Sequence, residues 1–161
     1  MKRFTSAVRL ALAIVALVGM AGSASAGDAV PFKGALSGDL ATRTPGPAPG
    51  TFHDRFEMTG TATHLGRFAL VEDVLVDFRT APPTGAGTAT FVAANGDTLV
   101  AESYGYSELV VPGVVRIIEY ATITGGTGRF GRASGSYTCE RLFDLATGET
   151  VGSFEGTIST P

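Results

Sequence analysis

Residues 86–107 read AGTATFVAANGDTLVAESYGYS, two runs of small, β-branched and aromatic residues on either side of Asn95-Gly96. Both central positions of a type I′ turn need a positive φ, which asparagine and glycine tolerate best. Residues 86–94 and 98–107 are therefore predicted to form two adjacent antiparallel strands. This hairpin indicates an all-β fold, because no stretch of the chain after the first 26 residues shows sustained helical periodicity.

The remainder of the chain repeats this organisation, with short apolar or alternating runs separated by turn residues. A Pro- and Gly-rich stretch, residues 44–50, is predicted to be a loop that cannot continue a strand. Eight sequential strands with mostly short turns favour an antiparallel meander that closes into a barrel, with a two-sheet sandwich as the alternative. The six strands predicted besides the hairpin are residues 30–40, 54–64, 67–78, 114–124, 134–145 and 151–159.

The first 26 residues have the three parts of a secretory signal peptide. A basic start is followed by an apolar run at residues 10–18, and Ala24-Ser25-Ala26 places small residues before a cleavage point. The apolar run is shorter than the roughly 20 residues that span a bilayer. We therefore predict export to the periplasm or the extracellular medium. The mature form is predicted to be a single domain, residues 27–161, without a membrane anchor.

Charge and cysteine content narrow the possible partners. Removing the leader takes away three of the 12 basic residues and none of the 15 acidic ones, so nine bases face 15 acids, a net charge of −6. An acidic surface repels nucleic-acid phosphates, so we expect no nucleic-acid partner. Cys139 is the single cysteine and is interpreted as a buried thiol. With two histidines and no ligand spacing, no metal site is predicted.

The most distinctive motif, TGGTGRFGRASG at residues 124–135, lies between the predicted sixth and seventh strands. A strand follows its glycines, whereas a phosphate-binding loop would be followed by a helix. We therefore predict a tight structural crossover in which Phe130 fills the end of the core. The residues assigned to this structural motif are Gly125, Gly126, Gly128, Phe130 and Gly135.

The same motif resembles the Gly-Gly-Thr-Gly-(basic)-Phe-x-x-Ala-x-Gly segment of the allene oxide cyclase and dirigent barrel superfamily. In that superfamily the segment joins two strands near the C-terminal end of an eight-stranded barrel. The resemblance is greatest to small secreted bacterial members. It implies the same barrel, with a cavity for a small hydrophobic or aromatic molecule, no metal or organic cofactor, and assembly as a homotrimer.

The parity of the predicted strands assigns side chains to the barrel interior. When the face richer in large apolar groups points inward, Glu72 faces the interior from the third strand, between Leu70 and Val74. The seventh strand then directs Tyr137 and Arg141 inward, with Cys139 between them. An inward carboxylate among apolar neighbours has a raised pKa unless a cation pairs with it.

The sixth strand is apolar on both faces, so it offers either Arg116 or Glu119 to the interior. Glu72 is therefore predicted to pair with Arg141 or Arg116. The cluster is either a satisfied structural network, as buried charges require, or the lining of a site that binds a ligand or transfers a proton. The predicted ligand-binding residues are Glu72, Arg116, Tyr137, Cys139 and Arg141, and the candidates for catalysis are Glu72 and Arg141.

Three functions follow from this pattern, because an eight-stranded barrel either fills with side chains or holds one small ligand. The leading hypothesis is a secreted barrel that binds a small hydrophobic or aromatic ligand without catalysis. The first alternative is a cofactor-free cyclase or isomerase that uses an inward carboxylate. The second is an extracytoplasmic interaction module that works through its surface loops.

Overall fold

Eight strands follow one another along the chain, and each is hydrogen-bonded to the next in antiparallel orientation. The computed structural model describes residues 27–160. The last strand pairs with the first, so the sheet closes and leaves no exposed edge. The strands are β1 (Val30–Pro45), β2 (Thr51–Ala62), β3 (Gly66–Asp77), β4 (Thr84–Ala93), β5 (Thr98–Val111), β6 (Val114–Gly126), β7 (Ser134–Asp144) and β8 (Glu149–Ser159).

The predicted all-β barrel is confirmed, and the two-sheet sandwich is excluded by the β1–β8 pairing. The signal peptide predicted over residues 1–26 lies outside the described residues. Within residues 27–160, no helix is both long and apolar enough to cross a bilayer.

Two strands extend four or more residues beyond their predicted ends. β1 continues past Leu40 through a bulge and ends at Pro45, which lies opposite Phe52 of β2. The loop predicted from residue 44 was therefore wrong at its first two positions, because a proline without an N–H donor is tolerated at the end of a ladder. β5 likewise extends to Val111, beyond its predicted end at residue 107.

The two ends of the barrel carry different connections. The turns β2–β3 and β4–β5 and the β6–β7 crossover lie at one end, which we call the closed end. The turns β1–β2, β3–β4, β5–β6 and β7–β8 lie at the other, which we call the open end. Every strand therefore contributes inward side chains to both halves of the barrel.

Five aromatic rings fill the interior of the closed half. Their centroids lie 5.0 to 6.3 Å apart, and most pairs meet edge to face or at a tilt. Such geometry stabilises aromatic clusters beyond the gain from burial alone. We call this group the aromatic plug: Phe32, Phe68, Phe91, Tyr137 and Phe154.

The glycine-rich crossover covers the plug at the closed end. It contains a single 3₁₀ turn, Gly128–Phe130, which places the Phe130 ring in the core with 1 % exposure. Gly128 has a φ of +54°, and a Cβ at this position would collide with the Asp97 carboxylate of the β4–β5 turn. A side chain here would strain the backbone and would displace the Asp97 carboxylate.

Candidate functional site

The open half of the barrel contains a cavity of about 240 Å³ that reaches solvent between the open-end turns. Alternate residues of β3 and β6 point into it, as the two-residue period of a strand requires. The apolar side chains that form its walls are Phe56, Val74, Val76, Val115, Ile117 and Phe143.

Small inward residues on β4 and β5 leave this space open. Gly85 lies on β4, and Ser103, Gly105 and Ser107 follow at alternate positions on β5. In the closed half, the same two strands carry large inward groups such as Phe91 and Leu99, both fully buried. The cavity therefore results from the choice of side chains on two adjacent strands of a regular barrel.

The bottom of the cavity is a charged cluster centred on Arg141. Its Nε donates to Glu119 Oε2 at 3.0 Å, and its Nη2 donates to Glu119 Oε1 at 2.9 Å and to Glu72 Oε2 at 3.0 Å. Ser103 Oγ donates to Glu72 Oε1 at 3.3 Å. We call Glu72, Ser103, Glu119 and Arg141 the charged floor. Each of its four residues is at most 8 % exposed.

Burial and mutual charge set the protonation of the charged floor. Burial, together with the nearby Glu119 carboxylate, raises the pKa of Glu72 to about 8, despite the opposing effect of Arg141. Burial alone would lower the pKa of Arg141, but the two carboxyl groups outweigh it and raise that pKa. Arg141 donates two hydrogen bonds to Glu119 and one to Glu72. With its raised pKa, Glu72 holds a proton near neutral pH.

The Arg141 guanidinium is also held by an aromatic face. Its central carbon lies 4.2 Å from the centroid of the Phe56 ring, a distance at which cation–π attraction is effective. Nη1 lies 3.5 Å from Thr150 Oγ1. These contacts position the guanidinium plane at the boundary between the closed and open halves.

A second ion pair lies at the mouth of the cavity. Arg43 donates Nε and Nη2 to the two carboxylate oxygens of Asp54 at 2.7 and 2.6 Å, and the Asp54 side chain is 2 % exposed. The hydrogen bond to Asp54 raises the pKa of Arg43. The guanidinium lies 5.6 Å from the Phe52 ring and 5.4 Å from the Phe78 ring. This pair ties the extension of β1 to β2 and forms one side of the rim.

Arg116 does not belong to the interior, contrary to the prediction. It lies on the outer face of β6, where its side chain is 46 % exposed and forms an ion pair with Glu108. The inward positions of β6 are Val115, Ile117 and Glu119, so the strand offers its carboxylate to Arg141. The error has a clear cause: β6 is apolar on both faces, and parity within one strand cannot choose between them.

The other four predicted site residues are all buried, but they line different cavities. Of these, Arg141 lines the open cavity. Glu72, Tyr137 and Cys139 line a void of about 10 Å³ on the closed side of the floor. Burial raises the pKa of the Cys139 thiol above its usual range, so the thiol stays protonated and unreactive.

Sequence reasoning missed Ser103 and the rim pair Arg43 and Asp54. The alternation of Ala101, Ser103 and Gly105 marks an inward face of small residues, but small side chains carry no indication of a polar site. Asp54 pairs with Arg43 only through the β1–β2 register beyond the bulge. Within residues 27–160, no group of three or more His, Cys, Asp or Glu side chains is placed to hold a metal ion.

Comparison with known proteins adds a structural relative. No protein-family model matches the chain, and no curated protein matches it in sequence. Among solved structures, the chain is similar to a pterocarpan synthase dirigent protein, with a TM-score of 0.54 and 14 % sequence identity over 99 % of both chains. The chain therefore has a dirigent-like barrel fold. The predicted dirigent resemblance is confirmed for the fold, while the allene oxide cyclase and bacterial parts stay predictions.

Proposed function

We propose that the protein binds one small hydrophobic or aromatic molecule in the open half of its barrel and does not transform it. The observation that supports this proposal is the cavity of about 240 Å³, whose walls are mostly apolar and whose floor is charged. Pockets for drug-sized ligands measure about 300–1,000 Å³ and have mostly apolar walls with few polar groups. A cavity just below this range fits a compact molecule of up to three aromatic rings.

The position of Glu72 favours binding over catalysis. A general acid or base has to come within hydrogen-bond reach of the reacting atom. Glu72 lies on the closed side of the floor, where Arg141 and Ser103 occupy its oxygens. The cyclase or isomerase alternative therefore receives less support than a binding role.

A fluorescence titration tests the proposal. N-phenyl-1-naphthylamine, a neutral dye with three aromatic rings, is expected to brighten and saturate with one site per chain. Ile117→Phe fills the cavity and is expected to weaken binding at least tenfold. Ile118→Phe adds the same bulk to the outer face of β6 and serves as the matched control. Equal binding by both variants, or no saturable binding by the wild type, would refute a ligand site in the barrel.

We also propose that residues 1–26 direct export and are removed. Intact mass of the protein recovered from periplasm or culture medium is expected to correspond to a chain that starts at Gly27. Recovery of the uncleaved chain in the cytoplasm alone would contradict this part of the proposal.

A further inference from the structure

We propose that the ligand enters the cavity with an oxygen acceptor first and that Arg141 Nη1 donates a hydrogen bond to this oxygen. The inference rests on the proposed binding function and specifies its ligand class: compact, neutral, mostly apolar molecules with a terminal carbonyl group. Three features of the charged floor carry it, namely the free donor capacity of Arg141, the direction of that donor and the charge balance around it.

Arg141 has more donors than the described residues use. A guanidinium carries five N–H bonds: one on Nε and two on each Nη. The Nε hydrogen and the two Nη2 hydrogens are matched by Glu119 and Glu72 at 2.9 to 3.0 Å. Nη1 carries two hydrogens, yet its one partner among residues 27–160 is Thr150 Oγ1, at 3.5 Å. At least one Nη1 hydrogen is therefore available to a ligand.

Arg141 lines the cavity, and the hydrogen bonds of its guanidinium indicate that Nη1 is the nitrogen directed towards the open end. Arg141 lies opposite Gly152 on β8, and Thr150 is one inward position closer to the β7–β8 turn at the open end. Nη1 approaches Thr150, whereas Nη2 is directed to Glu72 on the closed side. Thr150 donates its own hydroxyl hydrogen to the Leu142 carbonyl oxygen at 2.8 Å. Towards Nη1 its hydroxyl oxygen therefore acts as an acceptor and takes up at most one of the two Nη1 hydrogens.

The charge balance favours a neutral acceptor over an anion. The positive charge of Arg141 is already matched by the Glu119 carboxylate through two hydrogen bonds. The two arginines that line the cavity are already paired, Arg43 with Asp54 and Arg141 with Glu119, so a ligand carboxylate would find no unpaired cation there among residues 27–160. A carbonyl oxygen satisfies a buried N–H without adding charge, and leaving such a donor unmatched is costly.

Three naphthalenes of similar size test the inference on the wild-type protein: 2-acetylnaphthalene, 2-ethylnaphthalene and 2-naphthoate. Each competes with bound N-phenyl-1-naphthylamine. We expect the ketone to bind roughly tenfold more tightly than the ethyl compound, the gain of one hydrogen bond to a charged donor. Binding by apolar burial alone gives the opposite order, because the ethyl compound is the more hydrophobic. The naphthoate is expected to bind more weakly than the ketone.

The infrared carbonyl stretch of bound, ¹³C-labelled 2-acetylnaphthalene provides a second measurement that needs no variant. A shift to lower wavenumber relative to the ketone in hexane supports donation by Arg141. An unshifted stretch, or binding of the ethyl compound as tight as that of the ketone, overturns the inference and leaves the proposed binding function standing. If neither the dye nor any of the three compounds binds, both are overturned.

Discussion

The two halves of the barrel are built from the same eight strands, yet one is solid and the other is hollow. β3 contributes Phe68 to the aromatic plug and Val76 to the cavity wall, and β5 passes from the buried Leu99 to Gly105 at the cavity. Backbone pairing is continuous through both halves. The difference shows that side-chain size at inward positions, rather than the ladder, decides where a small barrel has room for a ligand.

The charged floor separates the two halves and depends on both. The plug side removes water from Glu72, which is what raises its pKa to about 8. On the cavity side, Arg141 forms part of the lining. A buried charge cluster at this boundary is stable only while its members remain paired.

The largest expected difference between the halves comes from truncating one phenylalanine in each. Phe154→Ala removes a ring that contacts the other four members of the plug and is 3 % exposed. We expect it to lower the free energy of unfolding by about 4 kcal/mol. Phe78→Ala, at the rim with 45 % exposure, is expected to cost less than about 1 kcal/mol. Urea unfolding measures both, and equal losses would contradict the division into a packed and an open half.

Arg141→Met is expected to lower the free energy of unfolding by about 3 kcal/mol at pH 7, because it leaves buried carboxyl groups without a cation. Adding Glu119→Gln to this variant removes the carboxylate that Arg141 holds by two bonds. The double variant should therefore be more stable than Arg141→Met alone, as urea midpoints would show. A double variant less stable than the single one would mean that the floor is not held together by this pairing.

The pH dependence of stability reports on Glu72. Its pKa is raised in the folded protein to about 8 from an unfolded value of 4.5. The folded state therefore binds more protons than the unfolded state between these values, and stability falls as pH rises through this window. Glu72→Gln removes this contribution, so the variant should lose less stability from pH 5 to pH 8 than the wild type does, by on the order of 3 kcal/mol. Identical pH profiles would show that Glu72 does not titrate there.

The smallest expected effects on stability come from substitutions in the turns. Here the closed end and the open end of the barrel should lose similar amounts of stability. Gly96 at the closed end has a φ of +88° and Gly113 at the open end a φ of +85°, and a methyl group added at either position would have no neighbouring atom within 4 Å. Alanine at either site meets backbone strain alone, so each substitution should cost about 1 kcal/mol. Thermal unfolding measures both variants. A much larger loss of stability for one of them would show that the turns, and not the interior alone, differ between the two ends.

The sequence pattern predicted the inward face of most strands correctly. The paired neighbours Glu72-Asp73 and Glu140-Arg141 split across the sheet as alternation requires, with Glu72 and Arg141 buried and the other two exposed. Alternation failed on β6, where Val115 and Ile117 compete with Ile118 as apolar candidates. The pattern therefore left Arg116 and Glu119 as alternatives, and Glu119 is the residue that faces Arg141.

The amino-acid sequence by itself determined the all-β class, the order of the strands, the hairpin at Asn95-Gly96 and the crossover that ends at Phe130. These features depend on local turn chemistry and on a period of two, both of which are written in neighbouring residues. Only the tertiary structure decided that Glu119 pairs with Arg141, that Arg43 reaches Asp54, and that half of the interior stays open. Each of these depends on the register between strands and on the summed volume of side chains contributed by many segments, and no single stretch of sequence specifies either.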